Sequence, residues 1–239
     1  MAVLIGSARS DERGKATGGK AGDQNGGKEV STQNWYKHSK GWRVLRCKNP
    51  DKAAKMAECM RKMCDTNYVG YDQYQRNTLY SALKAVGWKL NLLNKNVETD
   101  CSALICVCAA YAGITLPDFN TSTQAKVMLA SGEFVELTGS KYTDQEDYLA
   151  VGDCLVTRTK GHTVLVLTDG KKHKATVAAT GPVVKSGSWN VRKGPGTGFD
   201  VLGTVHGGDR LITVDTAGWQ AIDWNGGVGY ISKVAVGEG

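Results

Sequence analysis

The stretch ETDCSALICVCAA, residues 98–110, holds Cys101, Cys106 and Cys108, three of the chain's seven cysteines. A cysteine can act as a nucleophile, bind a metal or fill a small apolar space. Cys101 differs from the other two because it stands where a polar loop turns into an apolar run. The run reads as a helix with Asp100 as its N-cap, with Ala103, Leu104, Val107 and Cys108 at helical spacing and Gly113 ending it. A sulfur in the first turn lies beside unsatisfied backbone amides, which favour thiolate over thiol and lower its pKa. The same amides can steady an oxyanion formed next to the sulfur. Cys106 and Cys108 lie inside the helix about 200° apart, a poor chelate, and the chain has no CxxC pair. They read as packing, Cys101 as a nucleophile, and no metal or other cofactor is called for.

A nucleophile needs a base. Of the four histidines, His162 precedes the apolar run TVLVLTDG. A histidine at the mouth of a buried strand is held firmly yet can reach a cleft. The alternative is a strand-edge histidine without a role.

The elements that position these groups follow from pattern. At 239 residues the chain can form one sizeable core or two modest domains, and 41% apolar with 22% charged residues is ordinary for a globular protein. No run reaches the ~18 apolar residues of a membrane span. The start MAVLIGSARSDERGK lacks the basic, apolar make-up of a secretory signal. An odd number of unevenly spaced cysteines fits a reducing compartment, so synthesis in the cytoplasm is expected. The net charge is +7, and the part before Ser186 carries about +8: from Ser186 on, four basic residues stand against five acidic ones. Such an excess suits either solubility or a polyanion, nucleic acid or an anionic wall.

Ile5–Lys28 is glycine-rich and polar and reads as loop. Pro50 and Asp51 open a helix with an apolar face through Met56, Met60, Met63 and Cys64. A second helix is predicted over Asp72–Val86 and a short one over Thr121–Ala130. Phe134–Leu137, Cys154–Thr157, His162–Thr168 and Lys174–Ala178 read as strands, the last two as a hairpin. Helices followed by an antiparallel sheet make an α+β domain over residues 1–178. Residues 179–187 form a linker. Over residues 188–239, short alternating segments split by GPG, HGG, DTAG and NGG predict a small all-β barrel.

ETDCSALICVCAAYAG followed by VGDCLVTRTKGHTVLVLTDG resembles the paired motif of NlpC-type cysteine peptidases and their CHAP relatives. Asp100, Cys101, Ser102 and Leu104 match, Ala103 replaces the usual glycine, Gly152-Asp153 match, and His162 falls where the base belongs. The segments GKAGDQNGGKEV and YDQYQRNTLY also resemble phage-derived wall lysins. The resemblance implies a papain-like fold and attack by Cys101 on a peptide bond in the stem of peptidoglycan, with His162 as proton carrier. It also places Asp100 and Ser102 at the amino end of the substrate, although both also suit the helix start. The family's third residue lies about a dozen positions beyond the base. His173 fills that place if a four-residue loop, Leu167–Gly170, sets it opposite Val164; Asp23 or Gln24 are the alternatives.

The C-terminal segment is similar to bacterial SH3-like wall-targeting domains through Asn190-Val-Arg-Lys-Gly-Pro195, Gly218-Trp219 and Gly229-Tyr230-Ile231. That similarity implies wall binding, with Trp189, Trp224 and Tyr230 as aromatic surface. The expectation is therefore a phage or prophage endolysin that acts on the wall after release from its cytoplasm of synthesis. The alternatives are an N-acetylmuramoyl-L-alanine amidase using the same Cys/His chemistry and a non-catalytic wall-binding protein. Nucleic acid is not expected, because residues 1–178 lack aromatics clustered among their basic residues, and membrane insertion is not expected, because no run is long and apolar enough.

Overall fold

Pro50 begins the helix α1 (Pro50–Asp65), and the Asn49 side chain caps it by accepting the amides of Asp51 and Lys52 at 2.9 and 3.1 Å. The computed structural model describes residues 2–19, 29–173, 183–208, 211, 213–214, 219–224, 227–232 and 235–237. The chain divides into two units, Met1–Ala175 and Thr176–Gly239.

The first unit mixes helices with a six-stranded antiparallel sheet. Its strands are β1 (Leu4–Ala8), β2 (Val30–Asn34), β3 (Trp42–Cys47), β6 (Phe134–Leu137), β7 (Cys154–Thr157) and β8 (Thr163–Val166). They lie in the order β2-β1-β8-β7-β3-β6. Two shorter strands, β4 (Val69–Tyr71) and β5 (Val97–Thr99), pair in parallel beside it. The remaining helices of this unit are α2 (Thr78–Ala85), α3 (Cys101–Tyr111), α4 (Gln124–Ala130) and α5 (Ser140–Thr143).

Two expectations are corrected here. Leu4–Ala8 is no loop: it is an inner strand between β2 and β8. At Gly6 a Cβ atom would fall 2.6 Å from Met60 Cγ, so this glycine permits close approach of α1. Residues 20–28 of the same stretch lie outside the described residues. The second helix begins at Thr78 and not at Asp72. The Asp72 carboxylate instead accepts the amides of Tyr74 and Gln75 and, from the N-terminal loop, of Gly18, which favours a turn. The strand expected at Lys174–Ala178 lies outside the described residues.

Alternation along the strands splits the core. Ala8, Leu45, Cys154, Val156 and Leu165 pack toward the helices, whereas Ile5, Trp42, Val44, Leu155 and Val164 form a second cluster on the other face. In α3 every residue from Cys101 to Ala109 is buried, as expected of a helix enclosed on all sides.

The C-terminal unit contains β9 (Val183–Val184), β10 (Ser188–Arg192), β11 (Val201–His206), β12 (Thr213–Val214), β13 (Trp219–Trp224), β14 (Gly227–Ser232) and β15 (Val236–Gly237). Five of them form an antiparallel sheet in the order β11-β10-β14-β13-β12, and β9 pairs with β15. Val184, Val191, Val205, Leu211, Ile222 and Ile231 fill its core. Among the described residues the sheet is open, with β11 and β12 as its edges, and no closed barrel forms.

Candidate active site

The start of α3 is built from two sides. Parallel pairing sets Tyr71 opposite Thr99, and the next residue, Asp100, caps the helix. Asp100 Oδ1 accepts the Ala103 amide at 2.7 Å and the Ser102 hydroxyl at 2.8 Å. Its Oδ2 pairs with Arg76 Nε at 2.7 Å. Arg76 Nη2 also donates to Ser102 Oγ at 3.1 Å and to the Phe119 carbonyl at 2.6 Å. Asp100 and Ser102 are both buried and engaged in this internal network. Arg76 has no signature in sequence, since it lies 24 positions before the cap it holds.

Cys101 is buried too, but its surroundings set it apart. The other six cysteines all belong to the helix-side apolar core, and Cys101 does not. Its sulfur faces the backbone amides of Thr163 and Ser102. Burial, then the Asp100 carboxylate, push its thiol up to about 12, outweighing those amides and Arg76. The expected thiolate is thus corrected: the resting sulfur is a thiol, because burial and a neighbouring anion outweigh the helix start.

Thr163 connects the sulfur to the imidazole. Its hydroxyl donates to the Leu155 carbonyl at 2.8 Å and accepts from Gln124 Nε2 at 2.9 Å, which turns this side chain inward. His162, one residue earlier, is fixed by its backbone: its amide donates to Thr157 Oγ1 and its carbonyl accepts the Thr157 amide, both at 3.0 Å. Its ring lines a recess of about 620 Å³ with Arg9, Gln33, Tyr36, His38 and Lys40. Tyr36 lies within electrostatic reach of both Arg9 and the Cys101 sulfur, so the recess adjoins the thiol. Among the described residues no direct hydrogen bond joins sulfur and imidazole; catalytic contacts are often loose without substrate.

Burial, then the positive charges of His38 and Arg9, lower the His162 pKa to about 4 from an ordinary 6.5. The ring is neutral at pH 7. The unfolded chain takes up this proton near 6.5, so folding stability declines as pH falls from about 6.5 toward about 4. Proton-detected NMR of the His162 ring should give a midpoint near the lower value. A midpoint above 6 would contradict the buried, cation-flanked ring.

Tyr71 also escaped the reading of the sequence. Its hydroxyl accepts from Gln73 Nε2 at 3.1 Å, and burial followed by the nearby Cys101 raises its pKa to about 12, so it stays protonated beside the sulfur.

This arrangement lies wholly within the span matched by one protein family: the sequence model for the endolysin-like domain matches residues 5–173. The chain belongs to the endolysin-like domain family. No curated protein matches it. An endolysin-like domain points to an endolysin-type cell-wall hydrolase and is consistent with peptidoglycan as substrate.

Within the endolysin-like domain, His173 is not brought to His162. Its amide donates to the Gly170 carbonyl at 2.9 Å, and its ring lies within electrostatic reach of Asp153. Asp153 adjoins Val166, at the far end of β8, about 13 Å along the strand from His162. Among the described residues β1 takes the place beside β8, pairing Gly6 with Leu165 and Ile5 with Val166. Asp23 and Gln24 lie outside the described residues. Among the described residues no group of three His, Cys, Asp or Glu side chains is arranged to hold a metal ion. No helix among them is long and apolar enough to cross a membrane.

The C-terminal unit lies outside the matched span. Trp189 is half-buried against its core, with Nε1 donating to the Ser186 carbonyl at 3.3 Å. Tyr230 is half-buried on β14, opposite Arg192. Trp224 ends β13, and its side chain lies outside the described residues. Phe199, Val201 and Leu202 are exposed.

Proposed function

We propose that the endolysin-like domain is a papain-like cysteine peptidase of NlpC/CHAP type that cleaves a peptide bond in the peptidoglycan stem. The C-terminal unit, read as SH3-like, holds it on the wall. The observation that carries this reading is that Cys101, which lies outside the helix-side cluster holding the other six cysteines, has the Ser102 and Thr163 amides at its sulfur at a helix start, and Thr163 adjoins His162. A reactive cysteine needs polar, donor-rich surroundings; Cys47, Cys64 and Cys106 also have a backbone donor, but they lie within the apolar core.

With a neutral thiol and a neutral imidazole, proton transfer accompanies attack. The Cys101 sulfur bonds to the substrate carbonyl carbon while His162 takes the S–H proton. The carbonyl oxygen becomes an oxyanion, met by the Ser102 and Thr163 amides and by the Tyr71 hydroxyl. His162 then gives its proton to the departing amine as the C–N bond breaks. Water, deprotonated by His162, hydrolyses the thioester and restores the thiol. Asp100, Ser102 and Arg76 act as positioning residues that hold the start of α3. His38, packed 5.1 Å from Trp42 and accepting the Lys40 amide at 3.0 Å, lines the same recess as His162 and takes the third place in our reading instead of His173. Trp189, Trp224 and Tyr230 are the proposed wall contacts, and tethering raises the local concentration of enzyme at its substrate.

Mass spectrometry of purified walls digested with the full-length protein tests this. New amino ends within the stem are expected. Whole stems released from muramic acid would instead identify an amidase, and walls recovered uncut would leave a binding protein only.

A further inference from the structure

The recess beside His162 has a chemical character that peptide-bond cleavage alone does not require. Arg9 and Lys40 flank it, and no carboxylate lines it among the described residues. Several cations elsewhere in the unit have acidic partners: Arg43, Arg46, Lys52 and Arg76 each lie 2.7 Å from a carboxylate oxygen. Arg9 and Lys40 have none among the described residues. Arg9 Nη1 donates to Gln33 Oε1 at 3.0 Å and Nη2 to Ser31 Oγ, while Lys40 Nζ donates to the Lys160 carbonyl at 2.6 Å. These neutral acceptors fix the two cations in place without neutralising them.

Register explains how the charges converge. β1 and β2 pair as Ser7↔Ser31 and Ile5↔Gln33, so Gln33 and Ser31 stand on the strand beside Arg9 and hold its guanidinium. Lys40 belongs to the turn before β3 and reaches the loop that precedes His162. A planar guanidinium and an ammonium facing one polar recess form a pair of donors for a carboxylate.

We infer that this recess is a carboxylate-binding subsite, in which Arg9 and Lys40 hold an acidic side chain or free carboxylate of the stem peptide next to the scissile bond. This inference rests on the peptidase reading and gives it a substrate preference: a stem with a free carboxylate over the same stem amidated. Tyr36 lines the recess and lies within electrostatic reach of both Arg9 and the Cys101 sulfur. A carboxylate bound there also offsets the positive charges that add to burial in lowering the proton affinity of His162. Binding and proton transfer therefore reinforce each other.

Binding can be read without turnover in the full-length Cys101→Ala protein. The probes are acetyl-L-alanyl-D-glutamic acid and its diamide, compared by NMR titration of the His162 ring. The acid is expected to bind on the order of tenfold more tightly than the diamide, with the difference falling as salt rises. Arg9→Gln and Lys40→Gln, each at an exposed position, are both expected to erase most of that difference while the circular dichroism spectrum is kept. Equal or undetectable binding of the two probes, or a preference that survives both substitutions, overturns the subsite. A protein that prefers the acid yet leaves walls uncut keeps the subsite and defeats the peptidase reading, so the two failures are distinct.

Discussion

Replacing Cys101 with alanine is expected to lower wall lysis by at least about a thousandfold, the scale on which removal of an essential nucleophile acts. The substitution deletes one buried sulfur that lies outside the helix-side apolar cluster, so a modest loss of stability is expected with it. The helix start is left intact, because Asp100 still accepts the Ala103 amide and the Leu104 amide still donates to the Asp100 carbonyl. Turbidity of purified walls measures activity, and circular dichroism together with pelleting on walls measures fold and retention. The contrast is Cys108→Ala. That sulfur is fully buried in the core beside Cys59. Its loss should reduce stability through the cavity left behind while activity per folded molecule stays near normal. A Cys101→Ala protein that still clears walls at the original rate removes the thiol from the mechanism.

What could be read in advance follows from how local each feature is. The cap at Asp100 and the helix behind it are local: an acidic residue, then apolar positions, then Gly113. Pro50 and Phe134–Leu137 were legible for the same reason. The ionisation of Cys101 was not, because it depends on how far the sulfur is enclosed and on the charge of its own cap. Helix-end electrostatics is a first-turn effect of modest size, and burial of an anion exceeds it.

The position of His173 was misread for a topological reason. Chain order offers the next strand as the neighbour of β8, yet the sheet gives that edge to β1 from the far N-terminus. A glycine-rich segment reads as loop unless the helix packed on it is known; at Gly6 that helix is α1, through Met60. In the C-terminal unit the turns were visible, but closure depends on where the edge strands β11 and β12 lie, which turn spacing does not encode. The recess is non-local in the same way, since Arg9, Lys40 and His162 come from three separated segments.

Arg76 gives the second large effect. Arg76→Met keeps the length and apolar stem of the side chain and removes its charge and donors. Asp100 is then left with one carboxylate oxygen facing a site where its side chain is only 10% exposed. Stripping one partner from a mostly enclosed ion pair costs about 3 kcal/mol, which for a unit of this size lowers Tm by roughly 6–12 °C. The Phe119 carbonyl and the Ser102 hydroxyl lose a donor in the same step. Activity should fall further than stability explains, because Arg76 sets the first turn of α3 and with it the sulfur. Two variants separate these effects. Arg76→Lys keeps the charge but cannot reach Asp100, Ser102 and Phe119 together, so it should recover much of the Tm and little of kcat. Adding Asp100→Asn to Arg76→Met removes the unpaired anion, so the two changes together should cost less stability than their sum, with a coupling of about 1–3 kcal/mol. Strict additivity in urea unfolding, or a lysine variant as active as the parent, would show that Arg76 is a surface cation and that α3 needs no outside anchor to present its cysteine.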